Sequence, residues 1–255
     1  YYFIAFGIYL SNLVSLNELA QIKQGLASAL YLVLIYKLCE YKKFSLTTYF
    51  FSSIAHYVAL TSFLSIYLTK LYKIKIYLFL ILAALFIYVF DIFGYFYSFI
   101  INLPYVPHKV AVYQDSIYNY DQGLIRFKIL NVFIIISLFL FIIYKNENKI
   151  SLKYFPIIFN SYFLGTLILI SLSTSAIFAN RLSLLFFIVE PILISYLLYF
   201  TQYKKIVTTV LLLGALSIAY YNYVIQIDVW PYNFLLDKNL YEEMIIQKEI
   251  DKIRW

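Results

Sequence analysis

With 255 residues, 64 % of them hydrophobic and only 13 % charged, and a mean hydropathy of +0.81, the chain falls outside the composition of soluble domains, which are about 45–50 % apolar and about 25 % charged. The formal net charge of +7 does not point to nucleic acid, because the lysines and arginines are scattered through short loops between apolar runs, where membrane orientation is set. The single cysteine, Cys39, excludes an internal disulfide.

Apolar runs occupy 1–15, 18–39, 44–69, 76–101, 129–144, 154–177, 183–200 and 206–225, and several exceed the roughly 18 residues that identify a membrane span. The first opens at Tyr1 without a charged leader, and the one methionine is Met244. We therefore read the chain as a fragment that lacks upstream helices. The expected architecture is an all-α, polytopic transmembrane helical bundle over 1–225, followed by a polar, mixed-charge tail at 226–255 that suits an interfacial helix. The run 18–39 carries Gln21, Lys23, Gln24 and Ser28, and 44–69 carries His56. Asp91 lies mid-span in 76–101, and a tyrosine-rich polar loop fills 102–126. Asn180 and Arg181 separate 154–177 from 183–200, where Glu190 precedes Pro191, a pair that weakens the helix ladder and permits a kink.

Orientation follows from counting cations. Placing Lys42 and Lys43, Lys70 to Lys75, Lys145 to Lys153, and Lys204 and Lys205 on the cytoplasmic side satisfies the positive-inside rule at each loop. Both ends of 44–69 then lie on one side. As a single helix that segment would be about 39 Å long, against a hydrocarbon core of about 30 Å. We expect a re-entrant helical hairpin with its tip near Ser52 to His56, the alternative being one tilted spanning helix. Broken helices are tolerated at membrane depth only where protein or a water-filled cavity surrounds the freed backbone. The start of 18–39, the extracytoplasmic loop 102–126, Arg181 and the tail then share the outer side, with His56 pointing toward them.

An ionisable group inside a span costs at least about 2.5–3.5 kcal/mol on insertion scales, so each invites two readings. Lys23 sits near its helix start beside a stripe of Gln21, Gln24, Gly25 and Ser28, which either faces a site or packs helices while the lysine snorkels. His56, with Ser52 and Ser53 one turn behind, is either a functional imidazole or a structural hydrogen-bonder. Arg181 follows the polar stripe Ser171, Thr174 and Ser175. It either anchors the interface or uses its planar fork on phosphate oxygens. Asp91 and Glu190 are either protonated or internally paired. Tyr118 and Tyr120, with Tyr105 and Tyr113, lie among amide and carboxylate side chains, a mixture that suits sugars; the same mixture makes an interfacial aromatic belt, which in so tyrosine-rich a chain is the preferred explanation. The sequence lacks a paired His/Cys cluster for zinc, a Gly-Lys-Ser/Thr loop for nucleotide hydrolysis and a Gly-x-Ser-x-Gly motif.

The stretch from Ile22 through Lys23, Gln24, Gly25, Leu26 and Ala27, a span, Lys42 and Lys43, and then Ser53 to Leu60 around His56 resembles the EpsG-type family of bacterial polysaccharide polymerases, relatives of the Wzy O-antigen polymerases. That family carries Arg-Gln-Gly-x-Ala, one helix, a basic turn and Ala-x-x-x-His. Asn180, Arg181, Phe186 and Phe187 resemble its later arginine helix, and Pro231 and Tyr232 its terminal Pro-Tyr. Lys23 departs from the pattern, since the family usually has arginine there. The resemblance implies transfer of a growing glycan from an undecaprenyl-diphosphate carrier to an incoming lipid-linked repeat unit, at the outer face of the bacterial cytoplasmic membrane, with no metal, nucleotide or other cofactor. It implies Arg181 and Lys23 on the diphosphate, His56 as general base or acceptor-orienting group, Gln24 as a supporting hydrogen bond, and Asp91 and Glu190 in reserve for the base role. Implied partners are the lipid-linked oligosaccharide, membrane lipid, and a chain-length regulator or flippase. The main rival is a flippase or other transporter. Transporters frequently repeat their broken helices in both halves, whereas here only one candidate break is legible.

Overall fold

The computed structural model describes residues 22–102, 127–145 and 153–200, together with 205, 208, 209, 212 and 213. The expected run 1–15, Gln21, the loop 103–126 with Tyr105, Tyr113, Tyr118 and Tyr120, the span 206–225, the tail 226–255 and Pro231–Tyr232 lie outside the described residues, apart from those isolated positions. All regular structure among the described residues is helical. In chain order it comprises α1 (Ile22–Tyr41), α2 (Leu46–Ala55), a 3₁₀ helix (Tyr57–Leu68), α3 (Ile74–Val89), α4 (Ile92–Ile101), α5 (Phe127–Lys145), α6 (Phe155–Ser171), α7 (Ala176–Phe187) and α8 (Glu190–Phe200).

The core lies where α1, the 3₁₀ helix, α6 and α7 meet. Tyr31, Leu34, Leu38, Ala59, Phe159, Tyr162, Leu185 and Phe186 are fully buried there, and α3, α5 and α8 pack around α6. The outer surface is equally apolar. Phe79, Leu82, Phe86 and Val89 of α3, Phe96 and Phe99 of α4, and Ile134, Leu138 and Phe141 of α5 all face outward. A helix apolar all round, as α3 is, suits an apolar surrounding and not water.

Among the described residues no single helix is long and apolar enough to cross a membrane. Two pairs pass that test when taken together, α3 with α4 and α7 with α8, each bent by 54°. The expected continuous run 76–101 is therefore broken. Asp91 adopts the left-handed region (φ 44°, ψ 40°) and its carboxylate accepts the Gly94 N–H at 3.1 Å, capping α4. Short acidic side chains tolerate this conformation and satisfy orphan N–H groups at helix starts. A Cβ at residue 94 would sit 2.2 Å from the Asp91 carboxylate, so glycine is what leaves room for the cap.

The boundary expected at Asn180 and Arg181 also moves. The chain turns at Leu172–Ser175, where Ser173 Oγ donates back to Leu169 O at 2.7 Å, and Asn180 and Arg181 lie inside α7. A cluster of hydroxyl side chains competes for helix backbone groups and so ends α6 earlier than hydropathy suggests. The expected kink before Pro191 corresponds to the bend between α7 and α8. Three breaks thus interrupt the chain, at His56, at Asp91 and at Ile188–Val189, and the one at Asp91 joins the expected hairpin tip and proline kink.

The segment 44–69 is a helical hairpin. Ser45 caps α2 by accepting the Thr48 N–H, and the helix stops at His56, whose backbone is extended (φ −156°, ψ 132°). The chain then folds back: Phe44 and Phe63 rings lie 6.0 Å apart, Tyr49 and Phe63 rings 6.2 Å apart, and Tyr49 Oη donates to Leu60 O at 3.4 Å. The return leg is a 12-residue 3₁₀ helix, much longer than usual for that geometry. Its sequence suits three residues per turn, because Ala59, Ser62, Ser65 and Leu68 recur at every third position and all are buried. Small side chains on that edge let it lie against α1 and α6.

Candidate functional site

The course of α1 from Ile22 to Tyr41 defines two ends. At one, the α1–α2 turn brings Lys42 and Lys43 near Glu40, and Glu40 is bonded to Lys153 and Tyr154 at the start of α6. The other end holds the start of α1, the tip of the hairpin and the α6–α7 turn. The expected cationic, amide and imidazole side chains come from these three places.

Gln24 is buried near the start of α1. Its Nε2 donates to the backbone carbonyl of Arg181 at 3.3 Å, joining α1 to α7 across 157 residues of sequence, and its Oε1 is buried without a hydrogen-bond partner. One turn further on, Ser52 Oγ of α2 donates to Ala27 O at 2.9 Å, which pins the hairpin to the same face of α1. His56, one turn beyond Ser52, is half-buried. Its Nδ1 accepts the Val58 N–H at 3.2 Å and so caps the 3₁₀ helix, while its ring stacks on Tyr57 at 4.5 Å and 26°. The charges of Arg181 and Lys23 both act on this imidazole. Arg181 is half-buried on α7, whereas Lys23 is exposed, as befits a flexible cation at a helix start.

Lys23, Gln24, His56 and Arg181 are therefore gathered at one end of the bundle. Asp91 and Glu190 differ from them in setting. The Asp91 carboxylate is the α4 cap described above. Its helix reaches α7 through Phe93 and Tyr97, whose rings lie 5.5 Å and 5.0 Å from that of Phe178. Glu190 opens α8 at the bend, where its charge acts on the buried Tyr162. Tyr118 and Tyr120, the candidates for sugar contact, lie outside the described residues. Among the described residues no group of three His, Cys, Asp or Glu side chains converges as metal ligands would.

Two polar networks within the bundle were not picked out from the sequence. Tyr31 Oη pairs with Ser161 Oγ at 2.8 Å and accepts from Ser65 Oγ at 3.4 Å, and Ser161 Oγ also reaches Phe186 O at 3.3 Å. One cluster thus joins α1, the 3₁₀ helix, α6 and α7. Deeper, Asn160 donates to Leu68 O at 3.0 Å and Lys70 O at 2.7 Å and accepts from Tyr77 Oη at 2.6 Å, holding the end of the 3₁₀ helix. Gly165 brings α7 close to α6, since a Cβ there would lie 2.9 Å from the Phe187 ring. The signal for both networks was an uncommon polar side chain inside an apolar run.

Arg181 and Lys23 supply positive charge, His56 a polar ring and Gln24 an unspent acceptor, at the opposite end from Lys42, Lys43 and Lys153. Cations so placed can hold and stabilise phosphate oxygens, most strongly where water is scarce. Neither a curated protein nor a solved structure matches the chain. Residues 1–234 match the profile described as the EpsG family, and the chain belongs to that family of membrane proteins of polysaccharide biosynthesis.

Proposed function

We propose that this protein lengthens a surface polysaccharide by glycosyl transfer. The growing glycan leaves an undecaprenyl-diphosphate carrier and joins the sugar of an incoming lipid-linked repeat unit, at the outer face of the bacterial cytoplasmic membrane. The observation that carries the reading is the Gln24–Arg181 contact beside His56, with Arg181 and Lys23 both acting on the imidazole. A departing diphosphate needs cations to hold it, and its transition state is stabilised by preorganised donors. In this reading Arg181 and Lys23 grip the diphosphate, Gln24 fixes the α1–α7 spacing, and the 44–69 hairpin is re-entrant, presenting His56 from below. Tyr118 and Tyr120 belong to the sugar-facing loop. Energy comes from the activated lipid, so neither metal nor nucleotide is required.

Polymer length in cells complemented with variants at matched expression tests this. Arg181→Ala and His56→Ala should abolish long chains and Lys23→Ala should shorten them, while Lys23→Arg should restore them, because arginine keeps the charge and adds a bidentate fork. Normal polymer from both Arg181→Ala and His56→Ala removes the proposed site.

A transporter is favoured by one observation, the two helix pairs bent by the same 54°, since discontinuous helices recur in transporter halves. The accumulated intermediate separates the two readings. Loss of a polymerase leaves single lipid-linked units exported, whereas loss of a flippase leaves them inside.

A further inference from the structure

The geometry points to His56 working as a hydrogen-bond donor through Nε2–H, and not as the base that deprotonates the acceptor sugar. This deepens, and rests on, the proposed glycosyl transfer. A neutral imidazole has one N–H and one lone pair. Here the lone pair is taken: Nδ1 accepts the Val58 N–H at 3.2 Å. That bond belongs to the fold, because it caps the 3₁₀ helix at the extended residue that separates the two legs of the hairpin. The bond one ring nitrogen makes sets the tautomer at the other, so Nε2 carries the proton.

The surroundings hold this state. Protonating Nδ1 would set two N–H groups against each other. The cations whose charge acts on the ring are Arg181 on α7 and Lys23 on α1, and both oppose a second positive charge. From its own hairpin the ring meets Tyr57, stacked at 4.5 Å, which fixes the plane in which Nε2–H points. Ser52, one turn back, is committed to Ala27 O.

In the transfer, the acceptor oxygen bonds to the anomeric carbon as the bond from that carbon to the diphosphate oxygen breaks, and the electron pair stays on the diphosphate. His56 Nε2–H, with Arg181 and Lys23, donates to the oxygens that gain this charge. The acceptor proton goes to the departing diphosphate itself, because the His56 lone pair is engaged.

The chain has two histidines, His56 and His108, so the tautomer can be read directly. A His108→Gln protein with ¹⁵N-labelled histidine, in lipid nanodiscs at neutral pH, should show a proton on Nε2 and a bare Nδ1. A proton on Nδ1 overturns the inference, whatever the protein is found to do. Among folded variants assayed for polymer length, His56→Gln, which offers N–H but no base, should exceed His56→Glu by at least tenfold in polymer yield. A glutamate variant equal to or better than the glutamine one overturns the donor role while leaving the polymerase reading intact. Failure of the polymerase reading would show separately, as lipid-linked units trapped inside when the protein is lost.

Discussion

Asn160 shows what one polar side chain does inside an apolar bundle. Its amide answers the carbonyls of Leu68 and Lys70, which the end of the 3₁₀ helix would otherwise leave unpaired, and its oxygen accepts the Tyr77 hydroxyl. A buried polar group stripped of its partner costs about 1–3 kcal/mol. Asn160→Leu strands three such groups and should lower the thermal midpoint in detergent by an amount equivalent to at least about 2 kcal/mol; an unchanged midpoint would show that these contacts add nothing. Gln24, His56 and Arg181 were legible as candidates because polar groups are scarce in apolar runs. Asn160 was not, because its partners are backbone carbonyls some ninety residues away, which side-chain pattern does not disclose. Tyr31 was hidden differently, as one of 29 tyrosines.

The breaks between elements do the positioning. The hairpin over 44–69 was inferred from charge balance and length, and its tip falls at His56 because extended backbone there lets the imidazole cap the next helix. The bend at Glu190–Pro191 was legible from proline chemistry. The bend at Asp91 was not, because a lone aspartate in a long apolar run reads as a buried acid until Gly94, three residues on, is recognised as the space for a cap. The α6–α7 turn was placed several residues late, since hydropathy averages over the hydroxyl cluster Ser171–Ser175. Packing between these elements is as consequential as their ends. Gly165→Ala drives a methyl into Phe186 and Phe187, and overpacking of this kind costs about 1–3 kcal/mol. Because Arg181 and the Gln24 contact ride on α7, we expect a lower thermal midpoint together with shortened polymer. Full-length polymer with an unshifted midpoint would mean that α7 moves without consequence.

Across the whole molecule, the candidate site at one end is matched by a latch at the other. Glu40 accepts from the Tyr154 hydroxyl and from Lys153 Nζ at 3.1 Å, and the lysine also lies 4.8 Å over the Tyr154 ring. The Tyr154 hydrogen bond, and then Lys153, hold the Glu40 carboxyl below its ordinary value of 4.5. The same tyrosine and Glu40 raise the Lys153 amine above its ordinary value of 10.5. A depressed carboxylate contributes stability that is complete above its unfolded value and lost as pH falls through its lowered folded value. The raised amine contributes until pH rises through its folded value. The difference in thermal midpoint between wild type and Glu40→Gln should therefore be constant at neutral pH and shrink only below about pH 4.5. A difference that grows on acidification contradicts the latch.

The proposed function requires that Lys23, Gln24, His56 and Arg181 form one site on the outer side, away from Lys42 and Lys43. Its most direct test is side-specific thiol labelling in protoplasts, in a Cys39→Ser background, with Lys23→Cys and Lys43→Cys introduced one at a time. A membrane-impermeant maleimide should label residue 23 in intact protoplasts and residue 43 only after they are opened. Labelling of residue 43 from outside, with residue 23 protected until lysis, would contradict the account.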